Sequence, residues 1–196
     1  MKISTAKFVG SFPSVNKFPK GNHIEIAFAG RSNVGKSSLL NFLCERKSLA
    51  QISGKPGKTQ MINHFLINET WKMIDLPGYG YAKISKKHRE SLATMIDGYV
   101  LNSPNLALLM VLVDSRIPPQ KLDLDFMCRL GEAGVPFAVC FTKCDKLDAD
   151  HEKRISDYET ELLRYWEELP TIFQTSSKKK RGRDDVLDFL ETVTEA

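Results

Sequence analysis

Gly30-Arg31-Ser32-Asn33-Val34-Gly35-Lys36-Ser37 is the stretch on which the reading of this chain turns. It follows a short apolar run, Ile24 to Ala29, and precedes Leu39, Leu40, Phe42 and Leu43, so a buried strand passes through it into a helix. In that setting the pattern G-x-x-x-x-G-K-[ST] points to a phosphate. Its glycines let backbone N–H groups converge on an anion, and the helix N-terminus adds its dipole. Lys36 would neutralise the outer phosphates and the Ser37 hydroxyl would bind Mg²⁺.

Working outward, the pattern alternates strands and helices. Ile62 to Ile67 and Thr70 to Ile74 read as a hairpin turning at Asn68-Glu69. Leu92, Met95, Ile96, Tyr99 and Val100 share one helical face, and Leu106 to Val113 is a fully buried strand. Pro118-Pro119 opens a helix bearing Leu122, Phe126 and Leu130. Val135 to Phe141 is the next strand, and Asp148 or Asp150 caps a helix with an apolar face of Ile155, Tyr158, Leu162, Tyr165, Trp166 and Leu169. Thr171 to Gln174 and Val186 to Val193 supply a last strand and a last helix. The expectation is an α/β domain in three layers: a mostly parallel six-stranded sheet with one antiparallel edge strand, and helices on both faces. Residues 1–20 read as an extended arm and residues 21–196 as a single domain. Ligands would sit at the carboxyl ends of the strands, after Ala29, Ile74, Val113, Phe141 and Gln174.

Composition narrows the class. The chain of 196 residues is 42% hydrophobic and 27% charged, which excludes a disordered or fibrous protein. No apolar run is long enough to cross a bilayer and no signal peptide is visible, so the expectation is a cytoplasmic protein without membrane insertion. Cys44, Cys128, Cys140 and Cys144 form no disulfide framework, and His23, His64, His88 and His151 show no ligand spacing, so no zinc is assigned. A net charge of +4 is compatible with a polyanionic partner without demanding one.

Three further segments carry chemistry. Asp75-Leu76-Pro77-Gly78 ends the second hairpin strand, where an Asp can hold a water on Mg²⁺ and the Gly78 N–H can reach a terminal phosphate. Thr59 lies in a long Ser/Gly/Lys/Pro-rich loop with hinge points at Gly54, Pro56 and Gly57. It is the candidate second Mg²⁺ ligand, engaged when a third phosphate draws the loop inward. Thr142-Lys143-Cys144-Asp145 follows the strand ending at Phe141. A carboxylate there accepts from the ring N–H and exocyclic amino group of guanine, a pair that adenine does not offer. The Lys143 stem would cover the base, and Thr175-Ser176-Ser177 would add a backbone N–H to the guanine carbonyl oxygen. Cys144 reads as a small packing residue.

G-R-S-N-V-G-K-S, P-G-K-T-Q, D-L-P-G-Y-G-Y-A-K, L-V-D-S-R with P-x-x-x-D-L-D, T-K-C-D-K-L and S-S-K-K together resemble the EngB family of bacterial GTPases, in the class that includes Era and the TrmE GTPase. The likeness runs from about Gly21 to Leu190. It implies a compact P-loop GTPase domain and a GTP-dependent step in assembling the large ribosomal subunit, with a part in normal septation and cell division. It also implies GTP contacts from Gly30 through Ser37 and Ser38, from Gly57, Lys58, Thr59, Gln60 and Met61, from Asp75 through Gly78, and from the base-site segments. Lys36, Thr59, Gly78 and Asn33 would serve hydrolysis. Ras-type GTPases orient the attacking water with a Gln just after D-x-x-G. Tyr79 stands there instead, so slow intrinsic turnover with activation by the ribosome or an ion is expected. In related GTPases an Asn at the place of Asn33 helps hold K⁺ beside the phosphates.

One departure concerns the base motif, T-K-C-D in place of the more usual N-K-x-D. Thr142 lacks the amide that would tie the base loop to the phosphate loop. Lys178, Lys179, Lys180, Arg181 and Arg183 form one basic cluster, and Lys83, Lys86, Lys87 and Arg89 a second. Either can meet ribosomal RNA phosphates or simply face solvent. The partners expected are GTP/GDP and the large subunit with its RNA, with no DNA, and the chain is expected to be a monomer. Two other readings compete. A P-loop kinase for a small acceptor leaves T-K-C-D unexplained, and an RNA-binding module with a structural nucleotide would bind RNA equally with GDP or GTP.

Overall fold

The computed structural model describes residues 1–19, 21–50, 61–80, 85–145 and 151–195. Among these residues seven strands form one sheet: β1 (Ala6–Phe12), β2 (Glu25–Gly30), β3 (Ile62–Ile67), β4 (Trp71–Asp75), β5 (Leu106–Asp114), β6 (Phe137–Thr142) and β7 (Ile172–Gln174), in the order β1-β3-β4-β2-β5-β6-β7. The helices are α1 (Lys36–Leu43), α2 (Lys86–Asn102), α3 (Lys121–Glu132), α4 (His151–Leu162) and α5 (Arg183–Glu195). β2 pairs in parallel with β4 and β5, and β6 with β5 and β7.

Period-two alternation divides the sheet's side chains between two cores. Ile26, Phe28, Met110 and Leu112 pack with Leu39 and Leu40 of α1 and Val186 and Leu190 of α5. Ala27, Ala29, Val111 and Val113 pack with Ile96 of α2, Met127 of α3 and Tyr158 of α4. The three-layer expectation is met. The strand count differs, because residues 6–12 of the expected arm form an edge strand antiparallel to β3. β3 is therefore the antiparallel strand, but it lies one place in from the edge.

β1 escapes a periodicity reading because it buries little: Phe8 and Val9 are exposed, and the register shifts between Phe8 and Gly10. Such a bulge on an exposed strand discourages pairing with another chain. What secures it is the hairpin turn. Asn68 and Glu69 both have positive φ, 49° and 60°, the backbone of a tight two-residue turn. The Asn68 side chain accepts from the N–H groups of Ser4 and Thr5 and donates to the Lys2 carbonyl.

Helix limits differ modestly. α3 starts at Lys121, after Gln120. α4 ends at Leu162, so Tyr165 and Leu169 are exposed while Trp166 packs edge-on against Phe137. Asp148 and Asp150 lie outside the described residues.

Candidate nucleotide site

The carboxyl ends of β2, β4, β5, β6 and β7 converge where the motifs stand. At Gly30 a Cβ would come within 2.9 Å of the Leu112 carbonyl oxygen and of Val34 Cγ1, so only glycine lets the loop leave β2 this close to β5. Asn33 adopts a left-handed φ of 66°, which asparagine tolerates better than most residues. Its side chain is exposed and makes no hydrogen bond among the described residues.

Lys36 opens α1 and is ion-paired with Asp75 at the end of β4, both buried. The other Asp75 oxygen accepts from Asn63 Nδ2 at 3.2 Å. A hydroxyl at Ser37, half-buried in the first turn of α1, together with one carboxylate is the sparse oxygen set that suits a phosphate-bound Mg²⁺. Among the described residues no three His, Cys, Asp or Glu group as an all-protein metal site.

The turn after β4 is bonded to the phosphate loop. Ser32 N–H donates to the Tyr79 carbonyl at 2.9 Å, and Tyr79 N–H donates to the Gly30 carbonyl at 3.2 Å. A Cβ on Gly78 would meet the Ser32 backbone at 3.1 Å, so this residue has to be small for the two segments to touch. Leu76, expected among the nucleotide contacts, has its side chain in the core. The Tyr79 ring packs on Phe126 and its hydroxyl donates to Asp123, placing the phenol on α3 and away from any water-orienting pose over the loop.

At the base end a cavity is lined by Gly35, Ser38, Arg116, Lys143, Asp145 and Ser177, among others. Thr142 corrects the expectation that the base loop is left untied: its hydroxyl donates to the Val34 carbonyl at 2.6 Å, with the Val113 carbonyl at 3.1 Å. Lys143, itself at a left-handed φ of 62°, adds a second tie through Nζ to the Asn33 carbonyl at 2.6 Å and to Asp114 at 2.8 Å. The Ser176 hydroxyl donates to Asp145 at 3.2 Å. Cys144 is buried with its thiol toward the Phe141 carbonyl, as a packing residue would be. The N–H groups of Thr175 and Ser176 donate to the carbonyls of Phe141 and Arg181, while that of Ser177 has no partner among the described residues.

Arg116 and Asp114 are additions that motif reading passed over, although both stand in L-V-D-S-R. Arg116 grips Asp114 through two guanidinium nitrogens at 2.8 and 2.6 Å. Burial works against the Asp114 carboxylate, but hydrogen bonds from Arg116 and Lys143 outweigh it and bring its pKa down to about 2. Gly57, Lys58, Thr59 and Gln60, the hinge residues Gly54 and Pro56, and Lys83 lie outside the described residues. Met61 stands exposed just before β3.

Known proteins agree with this architecture. Residues 25–143 match the family described as 50S ribosome-binding GTPase. A probable GTP-binding protein EngB of Bacteroides fragilis strain YCH46 is 53% identical over 194 residues, spanning 98% of this chain and 96% of that relative. A probable GTP-binding protein EngB of Porphyromonas gingivalis strain ATCC 33277 is 50% identical over 196 residues, spanning 100% and 98%. Among solved structures, a probable GTP-binding protein EngB superposes with a TM-score of 0.70 at 24% identity over 87% of this chain and 98% of that one. A point variant of Aquifex aeolicus Era, bound to GDP and AlF4⁻, superposes at 0.68 and 22% identity over 88% and 57%. The solved structures bear on the fold and the sequence relatives on the family. By its sequence relatives and the matching family, this chain belongs to the EngB family of GTP-binding proteins and is a GTPase.

Proposed function

We propose that this GTPase is a nucleotide-gated switch in the assembly of the large ribosomal subunit, working as a monomer in the cytoplasm, and that septation and cell division depend on that step. The observation that carries the proposal is the turn after β7. Lys178, Lys179, Lys180 and Arg181 are all exposed there, and an antiparallel bridge between Ser176 and Arg181 closes the turn at the rim of the base cavity. Four cations held in one turn suit a run of phosphates. Era, similar in fold, has been solved in complex with nucleotides 1506–1542 of 16S ribosomal RNA.

In this reading the segment from Gly30 to Ser38 cradles the phosphates, Gly78 N–H meets the terminal one, and Asp145 reads guanine. Ser37, Asp75 and Thr59 would hold Mg²⁺, which offsets the phosphate charge. Lys36 and Asp75, paired with each other, are the two charges that a phosphate and its cation would separate. With Tyr79 turned toward α3, intrinsic hydrolysis is slow and is raised by the ribosome. Asn33 supports K⁺ as a further activator, and equal rates in KCl and NaCl at matched ionic strength would remove that part.

The deciding experiment is co-sedimentation with ribosomal subunits in the presence of GDP, a non-hydrolysable GTP analogue or no nucleotide, at two salt concentrations. Binding to the large subunit only with the GTP analogue supports the switch. Binding indifferent to nucleotide would favour an RNA-binding module with a structural nucleotide.

A further inference from the structure

Asp123 takes no part in the assignments above, although it stands in the P-x-x-x-D-L-D stretch. It is 1% exposed, inside α3. A carboxylate in such a place costs free energy unless donors hold it. Its neighbours come from three other elements. Tyr79, next after Gly78, donates its hydroxyl to Asp123 Oδ1 at 3.0 Å. The guanidinium of Arg31, second residue of the phosphate loop, and the hydroxyl of Tyr158 on α4 face the same carboxylate. Arg31 Nε and the Tyr158 hydroxyl are buried without a hydrogen-bond partner among the described residues, so they act on Asp123 through charge and proximity.

Packing alone leaves the Tyr79 ring room to turn. One side lies on Phe126, but the ring also borders an open apolar groove of about 360 Å³ between α2 and α3. The bond to Asp123 gives the ring a direction, and the backbone of the same residue is the one bonded to Gly30 and Ser32.

We propose that Asp123 is a positioning residue for GTP hydrolysis: by holding the Tyr79 hydroxyl and balancing Arg31, it keeps the Gly78-Tyr79 peptide docked on the phosphate loop. This rests on the reading that Gly78 N–H meets the terminal phosphate. A loss of aim there slows hydrolysis while leaving GDP, which has no terminal phosphate to meet, bound as before.

The test compares GTP hydrolysis and fluorescent-GDP binding from pH 5 to 8 in the full chain and in Asp123→Asn, Tyr79→Phe, the double variant and, as a control on the same helix, Asp125→Asn. Each single change at 123 or 79 lowers kcat about three- to tenfold with KM and GDP affinity within about twofold. The double variant is no slower than the worse single one, because Asn leaves only a weaker, neutral acceptor for the Tyr79 hydroxyl and Phe removes that hydroxyl, so both changes act on the same link. Burial, opposed by the Tyr79 hydrogen bond and the Arg31 charge, pushes the Asp123 carboxyl up to about 6. The parent therefore loses kcat as pH falls through that value, and Asp123→Asn lacks that component. Unchanged kcat in the single variants, additive losses in the double one, or equal pH profiles would overturn the assignment. A parent that failed to bind GDP would instead overturn the reading of the nucleotide site.

Discussion

Asp145 sits half-buried at the base cavity, steadied by the Ser176 hydroxyl and with the Arg116 charge nearby. Two guanine donors can meet its two oxygens, and Asn at this position offers one donor and one acceptor instead. Asp145→Asn should weaken GDP binding by about 10²-fold or more, since a site built to accept hydrogen bonds discriminates steeply. Xanthosine diphosphate, with a carbonyl in place of the amino group, should lose far less. Competition titrations against a fluorescent nucleotide read both numbers, and equal losses for the two bases would remove Asp145 from base reading. Thr142 makes a related point about residue type. Motif reading predicts a missing tie because it compares side-chain names. The structure places the hydroxyl 2.6 Å from the Val34 carbonyl, so the shorter side chain makes the bond at its own length.

Among the elements, β3 links the N-terminal strand to the nucleotide half of the sheet, and His64 is its most constrained residue. It is fully buried, edge-on to Phe12 at 4.9 Å and to Phe18 at 4.4 Å, and neither ring nitrogen has a hydrogen-bond partner among the described residues. Burial, with a smaller contribution from Lys72, lowers its pKa to about 4. The unfolded chain takes up this proton near the ordinary value of about 6.5. Stability from this group is therefore essentially complete well above that value and falls as the pH drops toward 4, by about 1.5 kcal/mol between pH 6.5 and 5. Asp123 runs the other way over the lower part of that window, because its folded carboxyl accepts a proton more readily than the unfolded one. The difference between parent and His64→Leu in urea unfolding at the two pH values isolates the histidine. Parallel pH dependences would show that His64 is not the neutral, caged ring described.

At the scale of the whole molecule, the basic cluster divides into two jobs. Arg183 turns inward and donates to the carbonyls of Phe42 and Leu43 at the end of α1, with Glu45 beside it. Its charge completes a helix terminus. Lys178 to Arg181 are exposed. Replacing those four by Gln, with Arg183 kept, should flatten the log–log salt dependence of large-subunit binding by about 3, if each cation neutralises one phosphate. Thermal stability should hardly change. An unaltered slope would assign the four cations to solvent.

The sequence alone determined the parts whose physics is local. The phosphate loop is one strand, one turn and one helix, and its two glycines, Gly30 and Gly35, lie five positions apart in the chain. The alternation that sorts Ile26, Phe28, Ala27 and Ala29 between two cores is likewise written in consecutive residues. Tertiary structure decided what depends on residues far apart. β1 became the edge strand through ladder bonds to β3 and the Asn68 side chain, with almost no buried apolar stripe of its own to announce it. Asp123 and Arg183 gained their partners only when strand and helix ends from separate segments met, because a charge reveals its role through its counter-charge, and pairing at 44 or 140 residues' distance leaves no period in a sequence.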